Sequence, residues 1–275
     1  MGKQGVKKIR SSFCTNVIPK TEIVDSIEFL AGLGYDGLEF WDNFLTSIDV
    51  KWLANYMSGN KIQCSQICPY FDFTGGKESW DKSIMTAEKY VALAIELGKP
   101  LIRVFTGKNS ANIASHDQWD AAVNGLKIIC RMGLFDNIRF ALETHGETLL
   151  NSSDSIIRLL EEVGMENLGI NLQVPLDGED IWESVEKIGR YVIHLHAHNW
   201  LYPPQSDEAK VLGEKNLTFL DSGILDFEEF LRRLVEKGFA GYISIEHATH
   251  GGTHSWKETA KHEIAFLKRL VNSYN

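Results

Sequence analysis

Eight short apolar runs alternate with longer amphipathic ones along 275 residues. No linker or low-complexity tract separates them, and no G-x-G-x-x-G turn follows the first run. These observations predict an α/β chain folded as one (βα)8 TIM barrel, a single domain over residues 1–275. A doubly wound open sheet is the runner-up, and the missing glycine fingerprint weakens it. With 44% hydrophobic and 24% charged residues, the chain is too apolar for disorder. Its net charge of −9 repels phosphate backbones, and it has no polybasic run for an anionic membrane surface. Neither nucleic acid nor membrane is therefore expected as a partner.

The elements follow in order. The first strand is expected near Ile9 and carries Ser12-Phe13-Cys14-Thr15. The second begins near Asp36, after a helical run closed by Gly34, and ends with Glu39 and Trp41 on one face. The third begins near Ile62 and leads into Cys68-Pro69-Tyr70-Phe71-Asp72; Cys64 and Cys68 read as small core residues. Ile84, Ala87, Val91, Ala94 and Leu97 then recur at helical spacing up to Gly98. The fourth strand, from Leu101, puts Arg103 and Phe105 on one face. Trp119, Ala122, Val123, Leu126, Ile129 and Cys130 form the next helical stripe. The fifth strand, from Ile138, ends Leu142-Glu143-Thr144-His145, and Gly164 closes the helix after it. The sixth, from Leu168, carries Asn171 and Gln173; the seventh, from Tyr191, carries His194, His196 and His198. Asn199 to Ser222 holds Pro203-Pro204 and little periodicity, and is expected as a loop over the C-terminal face, covering substrate. Phe227, Phe230, Leu231 and Leu234 are helical, and the eighth strand, from Gly241, ends in Glu246.

Polar residues inside these strands carry the chemistry. Barrel strands are buried on both faces, so a charge there costs free energy unless it has a partner. Glu143, Gln173, His196 and Glu246 end four consecutive strands, whose C-terminal ends converge in a barrel. Two carboxylates, an imidazole and an amide oxygen suit one divalent ion, Mn2+ first, with Mg2+, Co2+ or Zn2+ as alternatives. His194, deepest in its strand, reads as a packed residue behind that site. Arg103 could grip an anionic or hydroxylated substrate through its planar fork, or form an internal ion pair with Glu39. His247 to His254 includes Gly251-Gly252 before the last helix, a weak phosphate-turn signal beside the plainer reading of an exposed loop. The four cysteines, Cys14, Cys64, Cys68 and Cys130, form no C-x-x-C pair, as expected of reduced thiols. No apolar run reaches the roughly 18 residues of a membrane helix. No apolar stretch follows the basic Met1–Arg10 segment, so a signal peptide is not expected and a cytoplasmic location is.

The chain resembles the sugar phosphate isomerase/epimerase family, the xylose isomerase-like TIM barrels, over nearly its whole length. The matching stretches are Leu33-Gly34-Tyr35-Asp36-Gly37-Leu38-Glu39-Phe40-Trp41, Ile102 to Gly107, Leu142 to His145, Gly169 to Leu172, His194-Leu195-His196 and Ser244-Ile245-Glu246. The resemblance implies one divalent metal held from strands five to eight, here by Glu143, Gln173, His196 and Glu246. Gln173 stands where the family pattern has Asp, and Leu176 where many members have His; both departures make the site less anionic. Cys14-Thr15, Tyr70-Phe71-Asp72, Ile102-Arg103, Glu143-Thr144-His145 and His196 with Asn199 are also similar to the 3-dehydroshikimate dehydratase branch.

The expected activity is metal-dependent isomerisation or epimerisation of a keto-sugar or sugar phosphate, by abstraction of a proton α to a carbonyl through an enediolate. Glu143, Glu246 and His145 are the expected catalytic groups. Arg103, Tyr70, His198, Glu39 and Trp41 are the expected substrate contacts. A lyase is the alternative, either like the dehydratase branch or β-eliminating like C-glycoside deglycosidase subunits. A catalytically silent barrel subunit is a further one. Endonuclease IV-like barrels need more His and Asp ligands than these strands offer. Aromatic residues on the outer helices would allow a homo-oligomer and would equally occur in a monomer.

Overall fold

The computed structural model describes residues 9–274; the basic segment before Ile9 lies outside the described residues. Eight parallel strands close into a barrel: β1 (Arg10–Cys14), β2 (Gly37–Trp41), β3 (Gln63–Cys68), β4 (Leu101–Val104), β5 (Phe140–Glu143), β6 (Leu168–Leu172), β7 (Val192–Ala197) and β8 (Tyr242–Ile245). Each pairs with its neighbours in sequence. β8 returns to β1 in a register from Arg10↔Tyr242 to Phe13↔Ile245. Every strand begins within two residues of its expected start.

The outer layer is α1 (Ile23–Leu33), α2 (Val50–Gly59), α3 (Lys77–Glu96), α4 (His116–Leu134), α5 (Ser153–Val163), α6 (Ile181–Ile188), α7 (Phe227–Glu236) and α8 (Trp256–Asn272). Their ends follow local chemistry. Ser115 with Gln118, Ser152 with Ser155 and Ser255 with Glu258 satisfy the first amides of α4, α5 and α8. Gly34 and Gly164 close α1 and α5 at φ +89 and +61, where a Cβ would be strained.

Strand residues alternate between two surroundings. Phe13, Leu38, Phe40, Ile67, Ile102, Leu142, Ile170, Leu195 and Ile243 are wholly buried in the apolar core. At about 1.5–3 kcal/mol each, their burial offsets the cost of the polar residues between them. Those residues, among them Glu39, Gln66, Arg103, Asn171 and His194, are also at 0% exposure. The register sets Cys14 beside Glu39 and Gln66, Glu143 beside Asn171 and His194, and His196 beside Ser244. Register shifts fall at Leu38/Glu39 and Ile170/Asn171, where a carboxylate and an amide enter the polar interior.

The long segment after β7 is more ordered than expected. Asn199–Trp200 pairs antiparallel with Leu217–Thr218, and a short helix, Asp207–Leu212, lies between them. Asn199 staples its base: Nδ2 donates to the carbonyls of Leu220 and Leu225, and Oδ1 accepts the Leu225 amide. Glu263 of α8 accepts the Leu220 amide at 3.0 Å. Two-residue strands are too short to show a period. Among the described residues, no helix is long and apolar enough to cross a membrane.

Candidate active site

The site is built at the C-terminal ends of the strands, on a buried carboxylate. Glu39 of β2 is fully buried. It accepts hydrogen bonds from His196 Nε2 (3.0 and 3.1 Å), His194 Nε2 (3.1 Å) and Cys68 Sγ (3.0 Å). This differs from the expected substrate contact, because no surface of Glu39 is open to a ligand. Period-2 alternation gave its face but not its depth. Burial opposes its charge, yet His196 and His194 outweigh that and hold the carboxyl well below the usual range. Burial likewise opposes charge on His196, but Glu246, Glu39 and Glu143 raise its pKa well above the ordinary value.

Above Glu39, the structure brings Glu143, His196 and Glu246 together, with one donor atom of each within 4.8 Å of the others. His196 Nε2 is committed to Glu39, while Nδ1 lies 3.7 Å from Glu143 Oε1 and 3.5 Å from Glu246 Oε2. A histidine held at one nitrogen by a buried carboxylate, with the other facing two carboxylates, is the arrangement of a metal-ligating imidazole. These residues fit a divalent cation. Gln173 joins them through Nε2, which donates to Glu246 Oε2 at 2.9 Å. In that orientation its amide nitrogen, not its oxygen, meets the carboxylate, so ligation requires the amide to turn over. Asn171 Nδ2 lies 3.0 Å from His196 Nε2, and Asn171 Oδ1 is buried without a hydrogen-bond partner.

Arg103 is placed differently from either expectation. It is fully buried, so it is not free to grip a substrate, and its ion-pair partner is Glu143 (Nη1 to Oε2, 3.1 Å) rather than Glu39. Nη2 donates to the Pro69 carbonyl at 3.3 Å, and the guanidinium lies 4.5 Å from the ring centres of Trp41 and Phe105 and 4.9 Å from Tyr70. Burial opposes its charge, but Glu143 and other acidic neighbours raise its pKa and keep it cationic. Trp41 is half-buried and donates through Nε1 to Cys14 Sγ (3.0 Å), whereas Tyr70 is 58% exposed and stacks on Phe105. The thiols of Cys14 and Cys68, to which the sequence reading gave no place in the site, both approach Glu39.

His145, one residue pair beyond Glu143, is exposed and lines a cavity of about 380 Å³ with Tyr70, Phe105, Lys82 and Lys108. Its ring meets Phe105 edge-on. Nδ1 accepts the Glu147 amide at 3.3 Å, a long contact. His198 is half-buried, with Nε2 3.0 Å from the Val174 carbonyl. Burial, with His247 nearby, lowers its pKa to about 4. A larger cavity of about 610 Å³ lies at the opposite end of the barrel, around Arg10, Gln63 and Tyr242, away from these groups. The Gly251-Gly252 turn offers little to a phosphate, because Ser255 and the Glu258 carboxylate already occupy the amino end of α8.

The chain matches the family described as xylose isomerase-like TIM barrel over residues 27–270. It is 24% identical to a 3-dehydroshikimate dehydratase of Bacillus anthracis over 272 residues, covering 93% of this chain and 94% of that protein. The structure of an L-ribulose 3-epimerase superposes with a TM-score of 0.76 at 17% identity, over 97% of this chain and 95% of the other. That of the IOLI protein with a bound zinc atom superposes with a TM-score of 0.78 at 17% identity, over 97% and 99%. The chain is thus similar in sequence to a dehydratase, and it shares its fold with an epimerase and with a barrel that holds zinc.

Proposed function

Because the chain belongs to the xylose isomerase-like TIM barrel family, we propose that it is a divalent-metal-dependent enzyme that removes a proton α to a carbonyl. Of its two outcomes, the geometry favours a lyase, a dehydration of the 3-dehydroshikimate kind. The observation that carries this reading is the contrast between the acid–base groups. Glu143 and Glu246 are 3% and 5% exposed and engaged by Arg103, Gln173 and histidines, whereas His145 stands open on the cavity. An elimination needs one group that can take a proton from one atom and give it to another. Epimerisation by opposed bases needs two.

Glu143, His196 and Glu246 would hold the cation, with Gln173 completing the set after its amide turns. When bound, the ion supplies Lewis-acid stabilisation of the charge that develops on the carbonyl oxygen. The chain's own groups do the rest. Lys82 and Lys108 attract an anionic group of the substrate, and Tyr70 and Phe105 pack against its ring. His145 takes the proton from the α carbon and delivers it to the β hydroxyl, which leaves as water as the conjugated double bond forms. Arg103 keeps Glu143 oriented, and Glu39 does the same for His196.

The test is metal-reconstituted protein with 3-dehydroshikimate, followed by ultraviolet absorbance. A new conjugated chromophore that is lost in His145→Ala supports the lyase. The second reading, an epimerase or isomerase using Glu143 and Glu246, is favoured by their closeness to one another across His196. It would give no chromophore but solvent deuterium at a retained carbon of a keto-sugar, and a His145→Ala variant that keeps its turnover.

A further inference from the structure

Glu246 is shared between two groups of donors. The first is Glu143 and His196. The second is His198, immediately after β7, and His247, in the turn after β8. One ring nitrogen of His198, one of His247 and one carboxylate oxygen of Glu246 also lie within 4.8 Å of one another.

Three features give this second group the character of a ligand set. His198 Nε2 is 3.0 Å from the Val174 carbonyl, so that nitrogen carries the proton and Nδ1 keeps its lone pair. Nδ1 is buried and has no hydrogen-bond partner among the described residues. A histidine that donates one N–H to a backbone carbonyl and offers the other nitrogen is oriented as metal-bound histidines are. His247 Nε2 lies 3.3 Å from Glu246 Oε2, and the two imidazoles meet edge to face with centres 5.5 Å apart. Finally, His247 holds a backbone φ of +22, rare for a residue with a Cβ. Such strain persists where the surroundings impose it, often at functional sites.

We propose that His198, Glu246 and His247 form a second divalent-cation site, bridged to the first through the Glu246 carboxylate. Two imidazoles and one carboxylate, with a position left for water or substrate, are the donor set of an open zinc site. The first group has two carboxylates to one imidazole and suits harder ions better. The inference rests on the metal-holding reading only through Glu246, and it holds for either reaction outcome.

The experiment loads metal-free protein with Zn2+ alone, removes loosely held ion by gel filtration, and measures zinc per chain. Two equivalents are expected. His198→Ala and His247→Ala should each keep one, and Glu143→Gln should keep the other. One equivalent in the wild type that survives both histidine variants overturns the second site and leaves the proposed function standing. One equivalent lost with His247→Ala but kept in Glu143→Gln supports this site and overturns the first. No retained zinc overturns both. Should a variant fail to fold, X-ray absorption on zinc-loaded wild type decides. Three imidazoles for two ions support the proposal, and one imidazole per ion overturns it.

Discussion

Glu39→Gln tests whether a carboxylate with no exposed surface sets up the metal site. Glu39 receives Nε2–H bonds from both His194 and His196. A glutamine at this place can accept from one of them with its oxygen and must turn its NH2 toward the other. The facing histidine, His194, would then need its proton on Nδ1, which is buried without a partner. Losing one charge-assisted hydrogen bond costs about 1.5–3 kcal/mol. Loss of an orienting carboxylate behind a metal-bound histidine lowers metal affinity about 10–100-fold, or about 1.4–2.7 kcal/mol. The assay is competition of Mn2+ or Zn2+ against a chromophoric chelator, beside thermal unfolding of the metal-free protein. The expected result is a folded variant that melts several degrees lower and binds metal at least tenfold more weakly. A lower Tm with unchanged metal affinity would refute the reasoning, since Glu39 would then serve packing alone. A raised KM with unchanged metal affinity would return it to the role of a substrate contact.

Two further predictions concern charge. Gln173→Asp places a second carboxylate against Glu246, so metal affinity should rise about tenfold or more, or at least about 1.4 kcal/mol, while the metal-free protein becomes less stable. Equal affinity in the chelator competition would show that position 173 does not ligate. Glu263 is 1% exposed, and burial raises its pKa from 4.5 to about 8 although it accepts the Leu220 amide. The folded state therefore binds the extra proton, and the contribution of Glu263 to stability is full below pH 4.5 and is lost as pH rises through about 8. Glu263→Gln removes that loss. Its advantage in urea denaturation should be near zero at pH 4.5 and grow to about 5 kcal/mol above pH 8. A constant difference between the two proteins across that range would sink the assignment.

The barrel was legible because burial on both faces makes its strands short apolar runs, and the polar exceptions fall where strands end. The same rule drew attention to Glu143, Gln173, His196 and Glu246, and the structure sets all four in one cluster through Glu246. Depth was not legible. Glu39 and Trp41 share a face in the sequence, but one lies beneath His196 and the other beside Arg103. Which is which depends on the register, shifted at Leu38/Glu39, and a single strand carries no record of that. Arg103 poses the same problem, since its pairing with Glu143 rather than Glu39 is set across strands. His247 lies in a turn with no period to read, so its place against Glu246 comes only from the way the chain leaves β8.

The buried charges explain why Glu246 is central to both proposals. Three carboxylates, Glu39, Glu143 and Glu246, are buried in one region with two strong cationic partners, Arg103 and His196. Arg103 is committed to Glu143 and approaches no other carboxylate oxygen as an ion pair among the described residues. His196 gives its shorter contacts to Glu39, at 3.0 Å, and stands 3.5 Å from Glu246. Glu246 is left with a neutral amide and with His247 for its remaining contacts. A buried carboxylate is tolerated only with charge or strong donors around it. Three imidazoles, His196, His247 and His198, nonetheless outweigh burial and hold the Glu246 carboxyl down at about 2, so it stays ionised and able to meet a divalent cation. A carboxylate with two oxygens that belongs to two groups of donors can satisfy this need with one ion or bridge two, and counting bound zinc distinguishes these arrangements.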